Sequence, residues 1–111
     1  MAISQDYLTF ITDQLSEFGE FETKKMFGGV GFFRNGLMFG MISKSGFRLK
    51  VDEVNQPDYE SLGMRPLESK DGKRKMPYWE VPESVIEDRH QFATWANKAV
   101  DASVRAKQNK S

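Results

Sequence analysis

Asn35-Gly36 constrains this chain more than any other pair of residues. It stands between Val30-Gly31-Phe32-Phe33-Arg34 and Leu37-Met38-Phe39-Gly40-Met41-Ile42. Asn-Gly supplies both positive-φ positions of a type I′ turn, whose twist matches the strands it joins, so the segment predicts a tight antiparallel hairpin. Strands extend it on both sides. Phe21 to Phe27 is a strand candidate closed by Gly28-Gly29, and after a turn at Lys44-Ser45-Gly46 the residues Phe47, Leu49 and Val51 alternate with Arg48 and Lys50. The expectation is a four-stranded antiparallel meander.

Helical spacing surrounds it. Ser4 reads as an N-cap with Asp6 in the first turn and an Ile3–Leu8 staple; Leu8, Ile11, Leu15 and Phe18 form one stripe, ending at Gly19. A short helix opens at Asn55-Gln56-Pro57-Asp58 and closes at Gly63. Strands are expected over Met64 to Glu68 and Arg74 to Val81, joined by a turn at Lys70-Asp71-Gly72-Lys73. Pro77 has no amide to donate, which puts the second of these at a sheet edge or on a bulge. Pro82 to Glu87 reads as a helical turn. Asp88 and Gln91 resemble a capping box opening a last helix with Phe92, Trp95, Ala96, Ala99 and Val100 inward, prolonged over Ala102 to Ala106 before a frayed 108–111 tail. There is no repeat and no linker. The fold class is α+β, an antiparallel sheet with helices mainly on one face, in a single domain over residues 1–111.

The central hairpin carries an anomaly. Strict alternation sends Leu37, Phe39 and Met41 to one face and Met38, Gly40 and Ile42 to the other, so both faces are apolar. The helices cover one of them. The second is left for the short middle helix, a second subunit (a possible homodimer) or a ligand.

Composition narrows the function. Sixteen Lys and Arg balance sixteen Asp and Glu, so no bulk charge draws the chain to nucleic acid or acidic lipid. The absence of cysteine excludes disulfides, thiolate catalysis and thiolate metal sites. No basic n-region precedes an apolar stretch at the start, and no apolar run reaches membrane-spanning length, so a cytoplasmic location is expected. Charge is locally uneven. Asp6, Asp13, Glu17, Glu20 and Glu22 have no base among them; Arg65, Lys70, Lys73, Arg74 and Lys75 form a basic stretch, and Lys98, Arg105, Lys107 and Lys110 another.

The chemistry-bearing residues form no catalytic constellation. His90 reads as an exposed residue at a helix start, without the nucleophile a triad needs. Gly28-Gly29-Val30-Gly31 lacks the Lys-Ser/Thr and following helix of a phosphate loop. Phe32, Phe33, Phe39 and Phe47 near Lys24, Lys25, Arg34 and Arg48 invite base stacking, but the spacing of an RNA-recognition sheet is missing. Asp52-Glu53 and Glu87-Asp88 fit solvated element ends better than a cation site. Met26, Met38, Met41, Met64 and Met76 read as core filler first and an adaptable binding surface second.

The run Lys25-Met26-Phe27-Gly28-Gly29-Val30-Gly31-Phe32-Phe33-Arg34-Asn35-Gly36-Leu37-Met38-Phe39-Gly40 resembles the signature of the TfoX/Sxy N-terminal domain family. So do Leu49-Lys50-Val51-Asp52, Met76-Pro77-Tyr78-Trp79-Glu80-Val81-Pro82, and Trp95-Ala96 with the alanine-rich final helix. The signature positions are thus Met26, Phe27, Gly28, Gly29, Gly31, Lys50, Val51, Asp52, Pro77, Tyr78, Glu80 and Pro82. The resemblance implies a secretion-chaperone-like arrangement in the order α-β(3)-α-β(2)-α, one strand fewer before the middle helix than the residues themselves predict. It implies no enzymatic activity and no cofactor. Its regulators promote competence genes with the cyclic-AMP receptor protein, which makes a transcription factor of that type the expected partner and direct nucleic-acid binding weak or indirect. Those regulators carry a second, C-terminal domain, and a stand-alone member without it is expected here. Lys24-Lys25 also replace the arginine common before Met-Phe-Gly-Gly, keeping the charge without the bidentate fork.

The expected function is therefore a non-enzymatic protein-interaction domain, with Lys24, Lys25, Arg65, Lys73, Arg74 and Lys75 as candidate partner contacts. The alternative is a chaperone-like or adaptor module that binds a peptide on its apolar sheet face.

Overall fold

A computed structural model describes residues 5–26, 28–43, 46–68 and 75–108. The order is α1 (Gln5–Gln14), β1 (Glu22–Met26), β2 (Gly29–Arg34), β3 (Leu37–Ser43), β4 (Gly46–Lys50), α2 (Gln56–Glu60), β5 (Pro66–Glu68), β6 (Lys75–Glu80), α3 (Glu83–Ile86) and α4 (Arg89–Gln108). All strand pairs are antiparallel, in the order β1-β2-β3-β4-β6-β5. The fold is α+β, and four strands precede the middle helix. Asn35 (φ 52°) and Gly36 (φ 79°) make the expected hairpin turn, both in the left-handed region. Ser4, Phe27 and the Lys70 to Lys73 turn lie outside the described residues.

The apolar side chains converge on one layer. Val30, Phe32, Phe39, Ile42, Phe47, Leu49 and Val51 of the sheet pack with Ile11, Leu15 and Phe18, with Tyr59 of α2, and with Phe92, Ala93, Ala96 and Ala99 of α4. Its aromatic centre is tight: Phe18 and Phe39 centroids lie 4.9 Å apart, and Phe32 meets Phe47 edge-on at 5.3 Å.

Strict alternation assigns the faces of β3 wrongly, for a local reason. Phe32 pairs with Gly40 but Phe33 pairs with Met38, so Phe39 is an extra residue in a β-bulge. The bulge shifts the phase of the strand, and Phe39 joins Ile42 in the core, both with no exposure. Met38 stays on the opposite face, its sulfur beside Gly31.

Two further expectations are corrected. β6 is not at an edge, because it lies between β4 and the true edge strand β5. The bulge half of the Pro77 reading holds: the β5–β6 register shifts between Pro66 and Glu68, and Pro77 offers only its carbonyl, accepting from the Val51 amide at 2.8 Å. Helix α1 ends at Gln14 rather than running to Gly19, and tighter turns carry Leu15 and Phe18 into the core. The Asp88 cap stands, since its Oδ1 accepts from the His90 and Gln91 amides, each at 3.1 Å.

Candidate functional site

Among the described residues, the candidate contacts do not lie together. Lys24 and Lys25 are exposed on β1, one edge of the sheet, whereas Arg65 precedes β5 at the opposite edge. Five strand spacings separate those edges, roughly 24 Å. Lys75 opens β6 opposite Glu68, and Lys73 and Arg74 lie outside the described residues. Two residues of the basic stretch near the end are engaged within the molecule. Lys98 Nζ donates to Asp58 Oδ2 at 2.8 Å, and Arg105 grips Asp52 with Nε–Oδ2 and Nη2–Oδ1 distances of 2.6 and 2.9 Å.

Arg34 is likewise a clamp and not a base-stacking cation. Its Nη2 donates to the Phe18 carbonyl at 2.8 Å, Nε to the Glu20 carbonyl at 3.0 Å and Nη1 to Asn97 Oδ1 at 3.3 Å. The guanidinium carbon sits 3.6 Å from the centroid of the Phe18 ring. This side chain ties the α1–β1 loop to α4. Phe32, Phe39 and Phe47 are core, which leaves only Phe33 of the proposed stacking set partly exposed on the sheet.

Most of the signature residues hold the fold. Asp52 Oδ1 also accepts from the Val54 amide, and buried Asn55 braces the same turn, accepting from the Asp52 amide at 2.8 Å and donating to the Lys50 carbonyl at 3.1 Å. Asn55 had no signal in the sequence beyond its place before a helix. Val51 is core, the Pro82 carbonyl accepts from Ile86, and the Glu80 amide donates to the Arg65 carbonyl. Gly28 turns the chain at φ 77°. A second missed residue is Gln14, whose Nε2 reaches the Ile86 carbonyl at 2.8 Å and joins α1 to α3.

The Asp52–Arg105 pair gives a pH prediction. The Arg105 hydrogen bonds, and then the Val54 and Asn55 contacts, hold the Asp52 carboxyl below its ordinary range against a desolvation that raises it. A depressed folded-state value stabilises above the unfolded value of about 4, and that stabilisation fades as pH falls through the folded value. Asp52→Asn is expected to cost roughly 1–3 kcal/mol at neutral pH and to flatten the acid limb of the stability curve. Urea melts from pH 7 down to pH 2.5 check it; an acid limb unchanged in the variant refutes the assignment.

What remains is the face of the sheet away from the helices. Gly31 lies there beneath Met26, Phe33 and Met38: a Cβ at Gly31 would stand 2.7 Å from the Met26 sulfur, 2.9 Å from Phe33 Cε1 and 3.2 Å from the Met38 sulfur. Met41 pairs with Gly31 across the ladder and shares the face. These four side chains are partly exposed and lie outside the core cluster formed by the described residues. Polar groups frame them. Lys24 Nζ lies 5.3 Å from the Phe33 ring centroid, and Lys50 Nζ lies the same distance from that of Tyr78, whose phenol is pushed up by burial. Arg48 is buried on the same face, donating to Ser43 Oγ at 2.9 Å and standing 3.6 Å from Glu80 Oε1, and its Nε has no hydrogen-bond partner among the described residues. Met64 packs against the core and Met76 lines a cleft with Pro66 and Trp79, so the methionine surface is smaller than the sequence implies.

His90 is exposed beside Glu17, with Nδ1 3.4 Å from Oε1. Among the described residues no group of His, Asp or Glu is placed to hold a metal, and no helix is long and apolar enough to cross a membrane. A search of curated proteins returns no match to this sequence. The family model described as the TfoX N-terminal domain, which is not a known enzyme family, matches residues 13–103. Spanning all six strands, α2, α3 and most of α4, that match shows that the chain belongs to the TfoX N-terminal domain family.

Proposed function

We propose that the domain works by binding a protein partner on the helix-free face of its sheet, as a transcription co-regulator and not as a catalyst. The observation that carries this reading is the cluster of Met26, Phe33, Met38 and Met41, partly exposed and outside the core. Flexible thioethers adapt to a partner's contour, while Glu22, Lys24, Lys50 and Glu80 around them orient the encounter. The family makes a transcription factor of the cyclic-AMP receptor protein type the first partner to test, in the cytoplasm, with promoter DNA touched weakly or indirectly.

The test is fluorescence anisotropy of a labelled competence-type promoter duplex titrated with that receptor protein, with and without this domain, at two salt concentrations. The domain is expected to tighten or enlarge the complex. A Phe33→Ser, Met38→Ser double variant should lose at least about tenfold of that effect while keeping its melting temperature within a few degrees. No change in anisotropy at either salt defeats the co-regulator reading. The methionine content of the face also favours an adaptor that receives an apolar peptide. Binding of that kind would weaken little with salt, whereas a DNA-assisted contact falls steeply.

A further inference from the structure

Strand β1 is an edge of the sheet, hydrogen-bonded to β2 on one side only, so its outer row of backbone amides and carbonyls faces away from the protein. Edges of this kind are often blunted by charged side chains, lysine above all. Here the charge is divided along the strand. Glu20 lies just before the strand and Glu22 opens it, Thr23 follows, and Lys24 and Lys25 come after it, all exposed. None of these four charged residues makes an ion pair among the described residues.

Such a strand is complementary to itself when reversed. Two copies related by a two-fold axis perpendicular to the sheet must pair residues of equal parity, because opposed residues share a face. Centred on Thr23, the register sets Glu22 against Lys24 of the second copy and Lys24 against its Glu22, on the same face. Lys25 then lies opposite Phe21, and Met26 opposite Glu20. Centred on Lys24 instead, like charges would meet. The first register is thus selected by charge as well as by backbone geometry.

The surroundings admit a strand. An open cleft of about 830 Å³ runs along the first half of β1, lined by Thr12, Glu20, Phe21, Glu22, Thr23 and Phe33 among others. Phe21 is held by Phe32 and Phe39 at centroid distances of 5.5 and 6.4 Å, which stiffens the edge before any partner arrives. We infer that β1 is a self-association site: a second copy of this chain adds its own β1 antiparallel in the Thr23-centred register, continuing the sheet across a two-fold axis.

Sedimentation velocity of the whole chain from micromolar concentration to about 1 mM in low salt tests this, because an unaided edge contact is a weak one. Dimer is expected within that range. Glu22→Lys and Lys24→Glu each turn both symmetric attractions into repulsions, so each alone should weaken the dimer about tenfold or more. An equimolar mixture of the two variants should dimerise again, as should the double variant with the charges exchanged. Both positions are exposed, and unchanged circular dichroism and melting temperature establish that the variants fold. A wild-type chain that stays monomeric at the highest concentration overturns the inference. So does a dimer indifferent to either single variant, or a mixture that fails to restore it.

Discussion

Truncating Phe39 to alanine is expected to lower the free energy of unfolding by about 3–5 kcal/mol. Phe39 has no exposure, and its ring meets Phe18 at 4.9 Å, Phe32 at 6.3 Å and Phe21 at 6.4 Å. Its neighbours cannot easily close the hole. Phe18 is pinned by the Arg34 guanidinium above its ring and by the hydrogen bond that Arg34 makes to its carbonyl. Phe32 is held edge-on by Phe47. The position is also the inserted residue of the bulge, so the strand cannot slide another side chain into its place without breaking the Phe33–Met38 and Phe32–Gly40 pairings. Urea unfolding with an unchanged m-value checks this, with Phe33→Ala as the companion. Phe33 lies on the helix-free face and should cost about 1 kcal/mol or less. Equal losses at the two positions would mean that the bulge does not separate the faces as described.

Replacing Gly29 by alanine should cost about 2–3 kcal/mol or more, while the same change at Gly31 costs less than about 1 kcal/mol. Both belong to the family signature, and both are in β2. At Gly29 a Cβ would stand 2.2 Å from the carbonyl oxygen of Ile42, a backbone atom fixed by the β2–β3 ladder. Nothing there gives way without moving a strand. At Gly31 the obstacles are the sulfurs of Met26 and Met38 and the edge of Phe33, the outer ends of partly exposed side chains that can swing aside. Thermal and urea melts of the two variants measure the contrast. A Gly31 variant that loses as much as the Gly29 variant would show that the methionine cluster is rigid, which would also weaken its suitability as an adaptable binding surface.

Features set by neighbouring residues were legible in the sequence. The Asn35-Gly36 turn, the cap at Asp88 and the alternation of Phe47, Leu49 and Val51 all depend on groups a few residues apart. Features set by tertiary context were not. Whether β6 is an edge or an interior strand depends on where β5 lands, and Pro77 is tolerated inside because the ladder is already irregular there. The bulge at Phe39 leaves no mark in an apolar run that reads equally well in either phase. Charges misled for the same reason. Arg34, Lys98 and Arg105 look like free surface cations, yet each finds a partner from a distant part of the chain. The candidate contacts share a sign but not a place, because the sheet order puts Lys24 and Arg65 at opposite edges.

That strand order also bears on how the molecule assembles. From β1 to β4 each strand lies beside its successor, so the meander closes only short loops and meets little entropic resistance. The β4–β6 pairing is different, because Leu49 must meet Trp79 across α2 and β5, far along the chain. Ser103, near the end of α4, then reaches back to the Met38 carbonyl at 2.7 Å and fastens that helix over the β2–β3 hairpin. A ribosome would thus release a meander able to form its ladder while its core face still lacks α4, and the later synthesis of that helix supplies the cover for the sheet's apolar face.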